Sequence, residues 1–233
     1  MSKPIVLSIR LQMLADAVEP SARIVDVGAD HGLLLAYLLE EGRATEGIAT
    51  DIHAGPAKRA AEYLAKRGLD NRTKVFCTDG LGDISLLRGD TVIVAGMGGQ
   101  ETIHIVDGAL SRGGDLSGIS FLLQPQKNWV EVRRFLLENG FRLVKEWLCL
   151  DREKWYVALR CVRNEVCADD SDVPASLTEL YLGSCLVAHP PVDWGVYLRY
   201  HEGKLRKIAK GKPEYVKVLE DVRSMIAVCE KSM

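Results

Sequence analysis

The sequence predicts an α/β protein: a doubly wound, mostly parallel seven-stranded sheet followed by an antiparallel helical hairpin. Three observations carry this. From Arg23 to Cys161, short β-branched apolar runs alternate with helical stretches, the pattern of βαβ units. The last two of those runs, 142–150 and 155–162, are joined only by the polar turn Asp151-Arg152-Glu153-Lys154. That is too short for a crossover helix and right for an antiparallel hairpin. Beyond residue 175, apolar residues recur at three- and four-residue steps, the spacing of helices with one buried face.

The elements follow in order. Residues 8–18 form a short amphipathic helix in which Leu11, Leu14, Ala15 and Val18 share a face, with Ser8 as N-cap. Arg10 reads from spacing alone as a solvated residue of that helix. The first strand is 23–28, rich in β-branched residues, with its helix at 31–41. The second strand, 45–51, precedes a helix from Pro56 to Arg67, where proline suits the first turn. The third strand is 73–77. The fourth, Thr91–Ala95, runs into Gly96-Met97-Gly98-Gly99 and a helix at 100–110. The fifth, 119–124, is stopped by Pro125, and its helix, 128–139, is closed by Gly140. Residues 164–175 are a polar, acidic linker, which divides the chain into a sheet domain over 1–163 and a helical domain over 176–233. In the latter, Trp194–Ile208 and Tyr215–Cys229 flank Gly211-Lys212-Pro213, a helix stop followed by a helix start. His189 and His201 lie in this part and read as packing residues.

Composition narrows the function classes. The 233 residues are 47% hydrophobic and 27% charged, with a formal net charge of −2. Such a balance is no whole-chain signature of nucleic-acid binding, though it leaves room for a local basic face. The six cysteines are scattered without a C-x-x-C pair, so no metal is expected. No apolar run approaches the ~18 residues of a membrane span, and the start of the chain lacks a signal-peptide core. A cytoplasmic protein with no membrane partner is the expectation, as a monomer or a dimer.

The chemistry gathers at strand ends, where an open α/β sheet binds its ligands. The first turn, Asp26-Val27-Gly28-Ala29-Asp30-His31-Gly32, is not a dinucleotide fingerprint, because Asp30 stands where the second glycine would let backbone approach a pyrophosphate. A carboxylate there repels a diphosphate and suits a cationic ligand such as S-adenosylmethionine, which has a sulfonium, an ammonium and no phosphate. The alternative is an ordinary βα turn with Asp30 as helix N-cap. Asp51 ends the second strand, placed to accept both hydroxyls of an adenosine ribose, and Asp79-Gly80 follows the third, placed to accept from an adenine amino group. Each alone could be a turn aspartate; together they converge on one crevice. Ala95-Gly96-Met97-Gly98-Gly99 has three glycines in four residues, which implies special φ values or close approach by something flat. On the first helix of the hairpin, Arg199, Lys204, Arg206, Lys207 and Lys210 form either a solvated face or a phosphate-contacting one. Among the histidines, His31 alone stands beside the first turn.

These stretches together resemble the bacterial tRNA (adenine-22, N1) methyltransferases, over nearly the whole chain. The similarity runs through Ser8-Ile9-Arg10-Leu11, through Asp26 to His31 (that family's D-[IV]-G-[ST]-D-H), through Asp51-Ile52 with Gly55-Pro56, and through Asp79-Gly80-Leu81. It continues in Ile93 to Gly99, Leu123-Gln124-Pro125 and Glu138-Asn139-Gly140-Phe141. The chain departs from the family pattern at Gly32-Leu33-Leu34-Leu35 and at Gln126. The resemblance implies a class I fold using S-adenosyl-L-methionine, and methyl transfer to N1 of an adenine in the tRNA D-arm. By position, Gly28, Asp30 and His31 would line the methionine end of the cofactor, Asp51 and Ile52 the ribose, and Asp79 and Gly80 the adenine. Ala95 and Gly96 would also face the cofactor, and Asp30, Gly96 and Met97 the reacting atoms. Arg10, Gly98, Gly99, Arg199, Arg206, Lys207 and Lys210 would meet the tRNA. The competing readings are a methyltransferase acting on another RNA, a protein or a small molecule, and a non-catalytic tRNA-binding protein. An NAD-dependent oxidoreductase is disfavoured by Asp30.

Overall fold

A computed structural model describes residues 3–82, 84–163 and 175–231; nearly all of the expected linker, and Cys167, lie outside them. Seven strands form one sheet: β1 (Ser21–Val27), β2 (Ala44–Asp51), β3 (Thr73–Cys77), β4 (Asp90–Ala95), β5 (Ser120–Gln124), β6 (Phe141–Asp151) and β7 (Lys154–Arg163), in the order β3-β2-β1-β4-β5-β7-β6. The first five are parallel, and β6 and β7 pair antiparallel with each other and at the β5 edge. Helix α1 (Ile9–Ala17) precedes the sheet, with Ser8 Oγ capping it by accepting from the Leu11 N–H. Helices α2 (Leu33–Glu40), α3 (Ala54–Lys66), α4 (Gly99–Ser111) and α5 (Trp129–Glu138) are the crossovers.

The alternation along the buried strands divides the core in two. Ile24, Ala49, Ile93 and Leu122 pack with α1 and α2 on one face; Val25, Val27, Val92, Val94 and Phe121 pack under α4 and α5 on the other. Burial of this much aliphatic surface is the main driving force of the fold. Register decides what meets at the strand ends. Val27 is level with Thr50 and Val94, and Ala95 with Gln124, so Asp51, Gly28, Ala95 and Gln124 stand in one row at the carboxyl edge.

Beyond residue 175 come α6 (Leu177–Leu182), α7 (Ser184–Ala188), α8 (Trp194–Gly211) and α9 (Tyr215–Lys231). Helices α8 and α9 form the expected antiparallel pair. The two short helices before them carry too few residues to show a period. Ser176 starts α6 with a capping box, its hydroxyl accepting from the Glu179 N–H while Glu179 reaches back to the Ser176 N–H. This helical part shares a core with the sheet: Tyr181, Leu182, Tyr197 and Leu198 pack with Val130, Trp129, Trp155 and Val157. An ion pair is sealed inside that junction. Arg133 of α5 holds Glu146 of β6 through Nε (2.8 Å) and Nη2 (2.7 Å), and Nη1 donates to the Leu180 carbonyl (2.8 Å). Glu146 Oε2 also accepts from the Cys185 N–H (3.0 Å). His201 is buried against Tyr181, as a packing residue should be, whereas His189 is exposed. No helix among the described residues is long and apolar enough to cross a membrane.

Candidate active site

The first turn is built by two backbone bonds, from the Gly28 and Ala29 N–H groups to the Thr50 carbonyl (2.8 and 2.9 Å). Gly28 has φ +70°, and the Met97 methyl lies where a Cβ on Gly28 would be. Glycine is therefore favoured by conformation, and the flexible end of Met97 takes up the space that the missing side chain leaves. Met97 folds from the fourth loop onto the first turn, so the two stretches singled out in the sequence are in contact. Asp30 has φ +50° and is exposed. It is not the N-cap of α2: Gly32 takes that position, at φ +67° and without a side-chain cap. The Asp30 carboxylate lies 3.5 Å from Arg59 Nη2 of α3 and 3.4 Å from His31 Nε2, so its charge is shared with an arginine that sequence spacing did not mark.

Asp51 is half-buried at the end of β2, and its Oδ1 accepts from the His53 N–H (2.9 Å), which fixes the carboxylate. Its second oxygen has no partner among the described residues. Ile52 beside it is 57% exposed, an apolar surface of the kind a nucleoside covers. Asp79 is exposed after β3 and lies 3.7 Å from His104 Nε2 of α4, a histidine that sequence reasoning left unplaced. Gly80 has φ +54°, and its carbonyl accepts from Thr50 Oγ1 (2.8 Å). Asp30, Asp51 and Asp79 thus follow three neighbouring strands. Asp26, one residue before the end of β1, is buried, and desolvation raises its carboxyl to about 7.

The glycines of the fourth loop have different reasons. Gly96 has φ +81°. Gly99 has ordinary backbone, but a Cβ there would come within 2.5 Å of the Lys127 carbonyl oxygen. Gly98 departs from expectation: its φ is −68°, it is the N-cap of α4, and a Cβ on it would meet open space. Its carbonyl accepts from the Thr102 N–H and hydroxyl, both at 3.0 Å. The Met97 carbonyl accepts from the Gln126 N–H (2.8 Å), tying this loop to the one after β5.

Arg10 is not the solvated residue that spacing suggests. Its Nη1 crosses to the end of β5, donates to Gln124 Oε1 (2.9 Å), and lies 3.5 Å from where a Cβ on Gly96 would stand. Its guanidinium is 5.8 Å from the Tyr156 ring centroid. Gln124 is fully buried, and its Nε2 has no hydrogen-bond partner among the described residues. A buried donor without an acceptor is costly, and here it stands in the same row as Ala95 and Gly28. The hairpin residues divide. Arg199 pairs with Glu230 across the hairpin (3.3 Å), and Glu202 of α8 accepts from Arg223 of α9 (3.0 Å), while Arg206 pairs with the same Glu202 one turn away on its own helix (2.8 Å). Lys207 and Lys210 remain exposed.

The comparisons agree with this architecture. Residues 7–159 match the family model described as a methyltransferase domain. The tRNA (adenine(22)-N(1))-methyltransferase of Bacillus subtilis is 32% identical over 154 residues, 66% of this chain and 63% of that one; the chain thus matches a little under two thirds of that relative's length. The solved structure of the B. subtilis m1A22 tRNA methyltransferase superposes with a TM-score of 0.78 at 23% identity, covering 98% of this chain and 99% of that one. A Streptococcus pneumoniae structure in complex with S-adenosyl-L-methionine gives 0.79 at 23% identity, covering 95% and 100%. With the family model covering β1 to β6, most of β7 and every strand-end loop described above, the chain belongs to the methyltransferase-domain family.

Proposed function

We infer that this protein transfers a methyl group from S-adenosyl-L-methionine to N1 of an adenine, position 22 of the D-arm, in cytoplasmic tRNA. The observation that carries the reading is the crevice itself: carboxylates after three neighbouring strands, no second glycine for a diphosphate, and a glycine loop beside Arg10 and an orphaned Gln124 amide. Its likeness to the B. subtilis relative supports the substrate.

The residues fit the cofactor. The free oxygen of Asp51 would accept from the ribose hydroxyls, Ile52 would cover the nucleoside, and the exposed carboxylate of Asp30 would face the cationic methionine end. When bound, the cofactor supplies an electrophilic methyl on a sulfonium. This chain's part is to hold the base and to stabilise charge. Adenine N1 carries a lone pair, so no residue need remove a proton before attack. Positioning then supplies much of the rate, with Gly96 admitting the ring and Arg10 and Gln124 beside it to hold it. The product ring is cationic, and the carboxylate of Asp30 favours it over the neutral ground state. N1 is hidden in a duplex, so the adenine must leave its stack to enter. Tritiated methyl donor offered with bulk tRNA, with protein and with small metabolites tests this. Label in tRNA alone is expected; label in protein, in metabolites or nowhere overturns it.

A further inference from the structure

A second concave site lies beside the crevice, between the loop after β5, the start of β7, and α8. It encloses about 60 Å³ and is lined by Pro125, Trp155, Tyr156 and Tyr200, with Lys154 and Lys204 at its mouth. Lys204 Nζ stands 4.2 Å from the Tyr200 ring centroid and Lys154 Nζ 5.0 Å from that of Tyr156. Both lysines are exposed, and neither is paired with a carboxylate among the described residues. Gln126 is the wall between the two sites. Its Nε2 is 3.7 Å from where a Cβ on Gly96 would stand, and its Oε1 accepts from Lys154 Nζ (3.4 Å). One side chain therefore separates the cleft from the loop that admits the target base.

We propose that this cleft takes the base of an unpaired nucleotide adjacent to the target adenine, with that nucleotide's phosphate at Lys154 and Lys204. The proposal rests on the tRNA methyltransferase reading. Aromatic rings with cations over them suit the face of a base and the charge beside it. A purely apolar ligand would have no use for two lysines, and an acidic peptide none for the ring-lined floor. The rings line the cleft and the lysines are exposed, so the base enters while sugar and phosphate stay at the mouth. Extruding one base from an RNA loop also unstacks its neighbour, and a second seat one side chain away captures it.

The test is steady-state methylation of a tRNA transcript by the full-length protein. Tyr200→Ala and Lys204→Glu are each expected to raise KM for tRNA about tenfold, the scale of one stacked base or lost phosphate contact, with kcat and cofactor affinity little changed. Tyr200→Phe restores the stack and should bring KM back. An abasic site at one of the two nucleotides flanking the target should raise the KM of the unaltered protein by a similar factor and add nothing to Tyr200→Ala. Lys204 is exposed, so Lys204→Glu carries the test even where Tyr200→Ala fails to fold. If the unaltered protein methylates tRNA while Lys204→Glu, every folded Tyr200 variant and both abasic substrates keep its KM, the cleft proposal is wrong and the parent reading stands. If the unaltered protein does not methylate tRNA, the parent reading fails and this one with it.

Discussion

Replacing Arg133 by Met should cost this protein several kcal/mol of stability at the junction of sheet and helices. Arg133 is 1% exposed, and the Glu146 side chain that it holds is wholly buried. Methionine fills the space and leaves the carboxylate facing only the Cys185 N–H (3.0 Å). Breaking a buried pair from one side typically costs 3–5 kcal/mol, because an uncompensated charge remains inside. For a chain of this size that corresponds to a fall in Tm of roughly 6–20 °C. Removing both partners is different. Arg133→Met with Glu146→Leu leaves no buried charge, only a carbonyl at Leu180 and an N–H at Cys185 without partners, at about 1 kcal/mol each. The double variant should therefore be more stable than Arg133→Met alone, a coupling of roughly 2 kcal/mol in a double-mutant cycle. Urea unfolding of the four proteins measures it. A single-variant cost below about 1 kcal/mol, or costs that simply add, would refute the argument that this pair clamps α5, β6 and α6 together.

Three further outcomes are expected. Asp51→Ala should weaken S-adenosyl-L-methionine binding by about 1.5–3 kcal/mol, or roughly 10- to 150-fold in Kd by calorimetry, and unchanged affinity in a folded variant would remove Asp51 from the site. Asp26 has a folded-state pKa of about 7 against 3.8. Stability is thus unaffected by its burial below about pH 4, is lost as pH rises through about 7, and levels off roughly 4 kcal/mol lower. Asp26→Asn should accordingly gain on the unaltered protein between pH 5 and pH 8 in denaturant melts without cofactor, and a constant difference across that range would show that the carboxyl is not desolvated. Asp30→Asn should lower turnover by about 10²-fold with tRNA affinity kept, and normal turnover would end its electrostatic role.

The strands were legible because buried parallel strands are near-continuous apolar runs: Ile24, Val25 and Val27, and Val92 to Val94, need no partner to be recognised. The β6–β7 hairpin and the α8–α9 pair were legible for similar reasons, a short polar turn and a sustained period. Convergence of Asp30, Asp51 and Asp79 followed from topology alone. Long-range side-chain contacts left no such trace. Nothing in the spacing tells that Arg10 reaches Gln124, that Arg59 shares Asp30, that His104 stands by Asp79, or that Arg133 closes on Glu146. The run Gly96-Met97-Gly98-Gly99 signalled an unusual loop, yet composition could not say which glycine bears the positive φ. It is Gly96, while Gly99 is required by a neighbouring carbonyl and Gly98 by neither. The basic residues of α8 were visible as a set, and the i,i+4 spacing of Glu202 and Arg206 was readable too, but only cross-hairpin geometry shows that Arg199 holds Glu230.

The proposed reaction turns on one atom of one base. A tRNA transcript with adenine at position 22, and the same transcript with guanine there, should be incubated with the protein and S-adenosyl-L-methionine, digested to nucleosides and analysed by mass spectrometry, with primer extension on a second portion. N1-methyladenine is expected in the first transcript, with a stop at position 22, and neither in the second. Methyl groups on cytosine or guanine, an adenine methylated elsewhere in the chain, or no methylated nucleoside at all would contradict it.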